Sequence, residues 1–147
     1  MLSIAVPKGR VLEEVNQLLL KSGLITEEIN EDRKLILEYP ENNMKFILSK
    51  PMDVPVYVKY GVADIGIAGK DVLLEVEEKL LEVLDLGIGK CRLSLCGREN
   101  SKIDFGKMPK IAPKYPKTSG RYFRSKGQQV EIIKLNGSIE IAPVLGL

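Results

Sequence analysis

The chain has 147 residues, 44% hydrophobic and 29% charged, the balance of a folded protein and not of a disordered one. A formal net charge of +2 is too small to imply nucleic acid or a membrane surface as partner, and leaves room only for a local basic cluster that holds a small anion. Histidine is absent, which excludes a Ser-His-Asp triad, a Cys-His pair and His-ligated zinc and leaves Asp, Glu, Lys, Arg, Tyr, hydroxyls, backbone amides or a bound ion to do any chemistry.

Positions 2–6 (Leu-Ser-Ile-Ala-Val) read as a short buried strand. They are too brief, and too soon interrupted by Pro7-Lys8-Gly9-Arg10, for a targeting segment, and no stretch approaches a membrane span, so a cytoplasmic location is expected. Val11, Leu12, Val15, Leu18 and Leu19 recur at helical spacing through about Ser22, with Gly23 as the stop. Lys34–Tyr39 and Met44–Ser49, separated by Pro40-Glu41-Asn42-Asn43, are expected to form a hairpin. Asp53 is placed to cap a helix through Tyr60, ended by Gly61. Ala63–Ala68 reads as a strand running into Gly69-Lys70-Asp71 and a further helix. Strands alternating with helices indicate an α/β structure with a largely parallel sheet.

Around Asp85–Gly89 the glycines thicken, and a hinge is expected there. It divides the chain into a first α/β lobe, 1–87, and a second, 88–147. The second is expected to hold strands at Cys91–Cys96, Lys110–Ala112 and Val130–Leu135, and a helix from about Thr118 to Lys126. On a strand, Cys91 and Cys96 point to opposite faces and read as reduced structural thiols. The sequence closes on an apolar run, Ile139 to Leu147, without a polar cap, as a chain stopping in mid-fold would.

Five segments are able to carry chemistry, and each has a plainer alternative. Pro7-Lys8-Gly9-Arg10, between a strand and a helix, suits an anion through helix amides, two cations and a glycine that admits close approach; the alternative is a turn with two solvated cations. Gly66–Asp71 lies where open α/β sheets bind ligands, with Asp71 either a helix cap or an acceptor for a sugar or base. Lys50 follows a strand and either faces the same site or is a surface lysine. In Lys114-Tyr115-Pro116-Lys117, with Arg121 and Arg124 nearby, Tyr115 either stacks on a base or lies on an ordinary basic surface. Glu140 sits inside the final apolar run, where an unpaired buried carboxylate is costly, so it calls for a partner or a cleft.

These segments in this order resemble the short-form ATP phosphoribosyltransferases: PKGR at 7–10, DVPVYVKYGVADIGIAGKDVL at 53–73, KYP at 114–116, RYFRSKG at 121–127 and NGSIEIAPVLGL at 136–147. The resemblance implies two α/β lobes similar to type II periplasmic binding proteins, with the active site in the cleft between them. The implied reaction joins ATP to phosphoribosyl pyrophosphate (PRPP) in the first step of histidine biosynthesis, with Mg2+ accompanying both substrates. It implies Arg33 and Lys50 as catalytic cations, Lys50 also at the PRPP pyrophosphate with Glu140 toward the ribose. Lys8, Gly9, Arg10, Gly69, Lys70, Asp71 and Tyr115 fall to the nucleotide, and no residue is assigned to a protein-held metal. The implied partners are a second copy and a histidyl-tRNA-synthetase-like regulatory subunit.

Lys50 stands where the family usually has Arg, keeping the charge but losing the two-pronged fork, and Pro113 stands where Thr is usual. The family signature also implies a Thr-Gly-x-Thr loop for the PRPP 5′-phosphate after Leu147, so the chain is expected to end within the second lobe and to bind PRPP less well than a chain that carries the loop. The competing class is a non-catalytic cytoplasmic module that binds a phosphorylated small molecule on the same kind of fold.

Overall fold

A computed structural model describes residues 1–30, 34–77 and 79–147. They divide into two compact units, Met1–Cys91 and Arg92–Leu147.

In the first unit, strand β1 (Leu2–Pro7) leads into helix α1 (Arg10–Lys21). Strands β2 (Ile36–Tyr39) and β3 (Met44–Ser49) form the expected antiparallel hairpin. Its turn is a 3-10 helix, Pro40–Asn42, closed by Asn43 in the left-handed region at φ 52°. Helix α2 (Val54–Lys59), strand β4 (Ile65–Gly66) and helix α3 (Lys70–Val76) follow. The sheet order is β2-β3-β1-β4, with β3 and β4 both parallel to β1.

Side chains alternate across the sheet with period two, and each face receives its own helix. Ile4 and Val6 of β1 with Met44, Phe46 and Leu48 of β3 pack under Leu12, Val15 and Leu19 of α1. Ala5 and Ile47, one residue out of phase, pack against Val54 of α2 and Ala63. The chain steps from β1 to one side and then back across it to β4, and the two helices cover opposite faces.

Three expectations are corrected here. Asp53 closes a 3-10 turn, Pro51–Asp53, and gives α2 no side-chain cap; Pro55 in the first turn supplies a preset φ without needing a donor. The strand expected over Ala63–Ala68 shrinks to Ile65–Gly66, extended by the bonds from Asp64 N to Ser3 O at 2.9 Å and from Ile67 N to Ala5 O at 2.9 Å. Among the described residues from 79 to 104 there is neither helix nor strand, so Cys91 and Cys96 are exposed free thiols and not strand residues. Alternation of apolar and polar residues makes a strand only where a partner supplies the ladder.

The second unit holds strand β5 (Lys110–Ile111), helix α4 (Pro116–Ser125) and strand β6 (Glu131–Ile132). β5 and β6 are parallel, which makes the expected βαβ unit. Phe123 is its buried anchor, with Phe105 and Tyr122 rings at 6.3 and 5.3 Å between centroids. A bond from Arg98 Nη2 to Val144 O, 2.7 Å, ties down the final apolar segment.

Candidate active site

The registers bring three of the five sequence segments to one edge of the first unit's sheet. β1 and β3 run parallel with Pro7 opposite Ser49, and Lys8 N donates to Ser49 O at 2.9 Å. Lys8 and Lys50 therefore leave adjacent strands side by side at their carboxyl ends. β4 flanks β1 on its other side, also parallel, so Gly69, Lys70 and Asp71 leave from the same edge. In an open α/β sheet this edge, at the place where the strand order reverses, is where ligands lie.

Gly9 has φ 95° and ψ −159°, a region open essentially to glycine alone. That conformation turns the chain from β1 into α1, where Gly9 O accepts from Leu12 N at 2.8 Å. Lys8 is half-buried, whereas Gly9, Arg10 and Lys50 are exposed. Asp71 lies in the first turn of α3, not at its cap, and its carboxylate folds back so far over Gly69 that a Cβ there would collide with Oδ1. The Lys70 ammonium is held by both Glu82 oxygens at 2.6 Å each.

The remaining candidates stand elsewhere. Arg33 lies outside the described residues. Tyr115 belongs to the second unit, directly before Pro116 at the start of α4, with the Lys114 ammonium 5.6 Å from its ring centroid. Glu140 sits on a 3-10 turn, Ile139–Ile141, and is exposed, so the cost of burial that singled it out does not arise.

Two residues of consequence escape a reading of the sequence. Asn16 is buried on α1, where its amide donates to Ile29 O and accepts from Ile29 N, both at 2.9 Å. Its signal was available, because positions 12, 15, 16 and 19 form one helical stripe and only 16 is polar. Glu82 gave no signal as a partner of Lys70, since it lies twelve residues away on an apolar pattern that continues that of α3, whereas the structure ends α3 at Val76.

Among the described residues no group of three or more His, Cys, Asp or Glu side chains gathers as for a metal ion. No helix among them is long and apolar enough to cross a membrane.

The fold and its edge define an α/β protein whose strand-end loops carry cations and glycines suited to phosphorylated ligands. A family model described as HisG, ATP phosphoribosyltransferase, matches residues 50–147. The ATP phosphoribosyltransferase of Bacillus licheniformis is 56% identical over 147 residues, covering 99% of this chain and 68% of that protein. That of Bacillus subtilis is 55% identical over 148 aligned positions, covering 100% and 69% respectively. Among solved structures, the ATP phosphoribosyl transferase (HisG:HisZ) complex from Thermotoga maritima matches with a TM-score of 0.71 at 34% identity, over 99% of this chain and 70% of the matched one. The chain belongs to the ATP phosphoribosyltransferase family.

Proposed function

We propose that this protein transfers the phosphoribosyl group of PRPP to N1 of ATP, the first step of histidine biosynthesis. The observation that carries the reading is family membership with identity of 55–56% along the whole chain. The non-catalytic binding module has no comparable support. We read the two compact units as the two lobes of the periplasmic-binding-protein type that the resemblance implies, the first ending near residue 87.

In this reaction the lone pair on adenine N1 forms a bond to C1 of PRPP, and the bond from C1 to the pyrophosphate oxygen breaks. N1 has no proton to lose, so no strong base is required. The protein's work is to hold two polyanions in line and to stabilise the charge on the departing pyrophosphate. Lys8, Gly9 and Arg10 with the first amides of α1, and Gly69, Lys70 and Asp71 across β1, are assigned to the nucleotide. Lys50 and Arg33 are assigned to the pyrophosphate as catalytic cations, Glu140 to the PRPP ribose, and Tyr115 to the adenine.

The groups at this edge are mainly cations and amides, a donor set that suits phosphate oxygens and not Mg2+. In this reading the ion arrives with ATP and PRPP, bound by their phosphates. The Thermotoga maritima complex pairs its chain with HisZ, and we assign this protein a HisZ-like regulatory partner, a dimeric catalytic assembly and a cytoplasmic location.

The test is a coupled assay for pyrophosphate, with phosphoribosyl-ATP followed separately, on the protein with Mg2+, ATP, PRPP and a HisZ-type partner. Equimolar formation of the two products is expected. Binding of both substrates without release of pyrophosphate would return the protein to the binding-module class.

A further inference from the structure

Lys70 opens α3 at the sheet edge assigned to the nucleotide, yet in the structure its charge is already answered. Both Glu82 oxygens lie 2.6 Å from Nζ, and the two side chains are 61% and 54% exposed. An ammonium that meets two oxygens sharing one negative charge is bound as it would be by a phosphate group. The pair is also easily exchanged. Exposed ion pairs contribute little and are screened by salt, and Glu82 comes from the stretch 79–104 that carries neither helix nor strand, so its displacement breaks no ladder of hydrogen bonds.

We propose that Glu82 is an acidic competitor built into the nucleotide site, occupying Lys70 in the free protein and giving way to a phosphate of ATP. This inference rests on the assignment of Lys70 to the nucleotide. It follows that Glu82 lowers ATP affinity in two ways, by holding the cation and by repelling the incoming charge. Its carboxylate also sets a threshold that a weakly charged nucleoside does not overcome, so it favours triphosphates.

The test is calorimetric titration of Mg-ATP into the whole chain for the native protein, Glu82→Gln, Lys70→Met and the double variant, with thermal unfolding as a check on folding. Glu82→Gln is expected to tighten ATP about two- to fivefold at low salt, the range an exposed pair supports, and by less at high salt. Lys70→Met is expected to weaken ATP, and in its background Glu82→Gln should give a smaller gain, because only the repulsion of the incoming charge is left to relieve. Unchanged or weaker binding in Glu82→Gln overturns the proposal, as does an equal gain with Lys70 removed. Adding Lys8→Met separates the two levels of the argument. If Lys8→Met weakens ATP while Lys70→Met does not, the site stands and the Glu82 inference falls. If neither variant matters, the nucleotide assignment itself is wrong.

Discussion

Replacing Asn16 by alanine tests how the first unit is held together beside the candidate site. Asn16 is 6% exposed and Ile29 is 1% exposed, and the side chain of the one holds both the N–H and the C=O of the other at 2.9 Å. These bonds fasten the irregular segment after α1 to the helix face, which lets Ile25 and Ile29 complete the core against Phe46. A buried backbone group that loses its partner costs about 1–3 kcal/mol. Two such losses come to roughly 2–4 kcal/mol once water reaches the site from the exposed neighbours Glu28 and Asn30. That is a large share of the about 5–15 kcal/mol that holds a domain folded. Urea unfolding followed by far-ultraviolet circular dichroism should show the midpoint falling by roughly 1–4 M, given a slope of about 1–2 kcal/mol per M for a unit of this size. Asn16→Leu separates packing from hydrogen bonding, because leucine restores the volume but not the bonds, and it should remain destabilised. An alanine variant within about 0.5 kcal/mol of the native protein, the scatter of an ordinary surface change, would refute the reasoning.

Gly9→Ala should cost about 1–3 kcal/mol or reshape the loop, since φ 95° suits glycine although nothing lies within 4 Å of an added Cβ; unchanged melting and an unchanged KM for ATP would count against it. Gly66→Ala places a Cβ 2.8 Å from both Val54 Cγ1 and Val58 Cγ2, stiff branched side chains of α2, and should destabilise by about 1–3 kcal/mol on thermal unfolding. The side-chain and backbone bonds from Ser3 hold the Asp64 carboxyl below the ordinary carboxylate value, helped by the nearby Lys45 charge. A folded-state pKa that is lowered adds stability above the unfolded value and loses it as pH falls through the folded one. Asp64→Asn should therefore flatten the acid limb of the stability profile below the usual carboxylate range and leave its neutral-to-alkaline shape alone, as measured by urea midpoints across pH.

The sequence by itself determined the local elements and the segments worth watching. Apolar spacing in α1, the β2–β3 hairpin with its Pro-Glu-Asn-Asn turn, and the β5–α4–β6 unit are all short-range patterns, and they are present in the structure, although the strand expected over Val130–Leu135 is reduced to Glu131–Ile132. The Pro-Lys-Gly-Arg and Gly-Lys-Asp segments were visible because glycine and charge at a strand end break an apolar pattern. Tertiary structure decided what depends on partners distant in the chain. Parallel pairing of β1 with β3 and β4 brings Lys8, Lys50 and Gly69 to one edge, and no local pattern records which strands become neighbours. The alternating segment at Cys91–Cys96 forms no strand among the described residues, because alternation describes a face while a ladder needs a second backbone. Glu82 reaches Lys70 only because α3 ends at Val76, although the apolar spacing of the sequence runs on beyond it. The strand's own backbone groups and the lysine's charge are each satisfied from far along the sequence, and it is the fold that selects the partner.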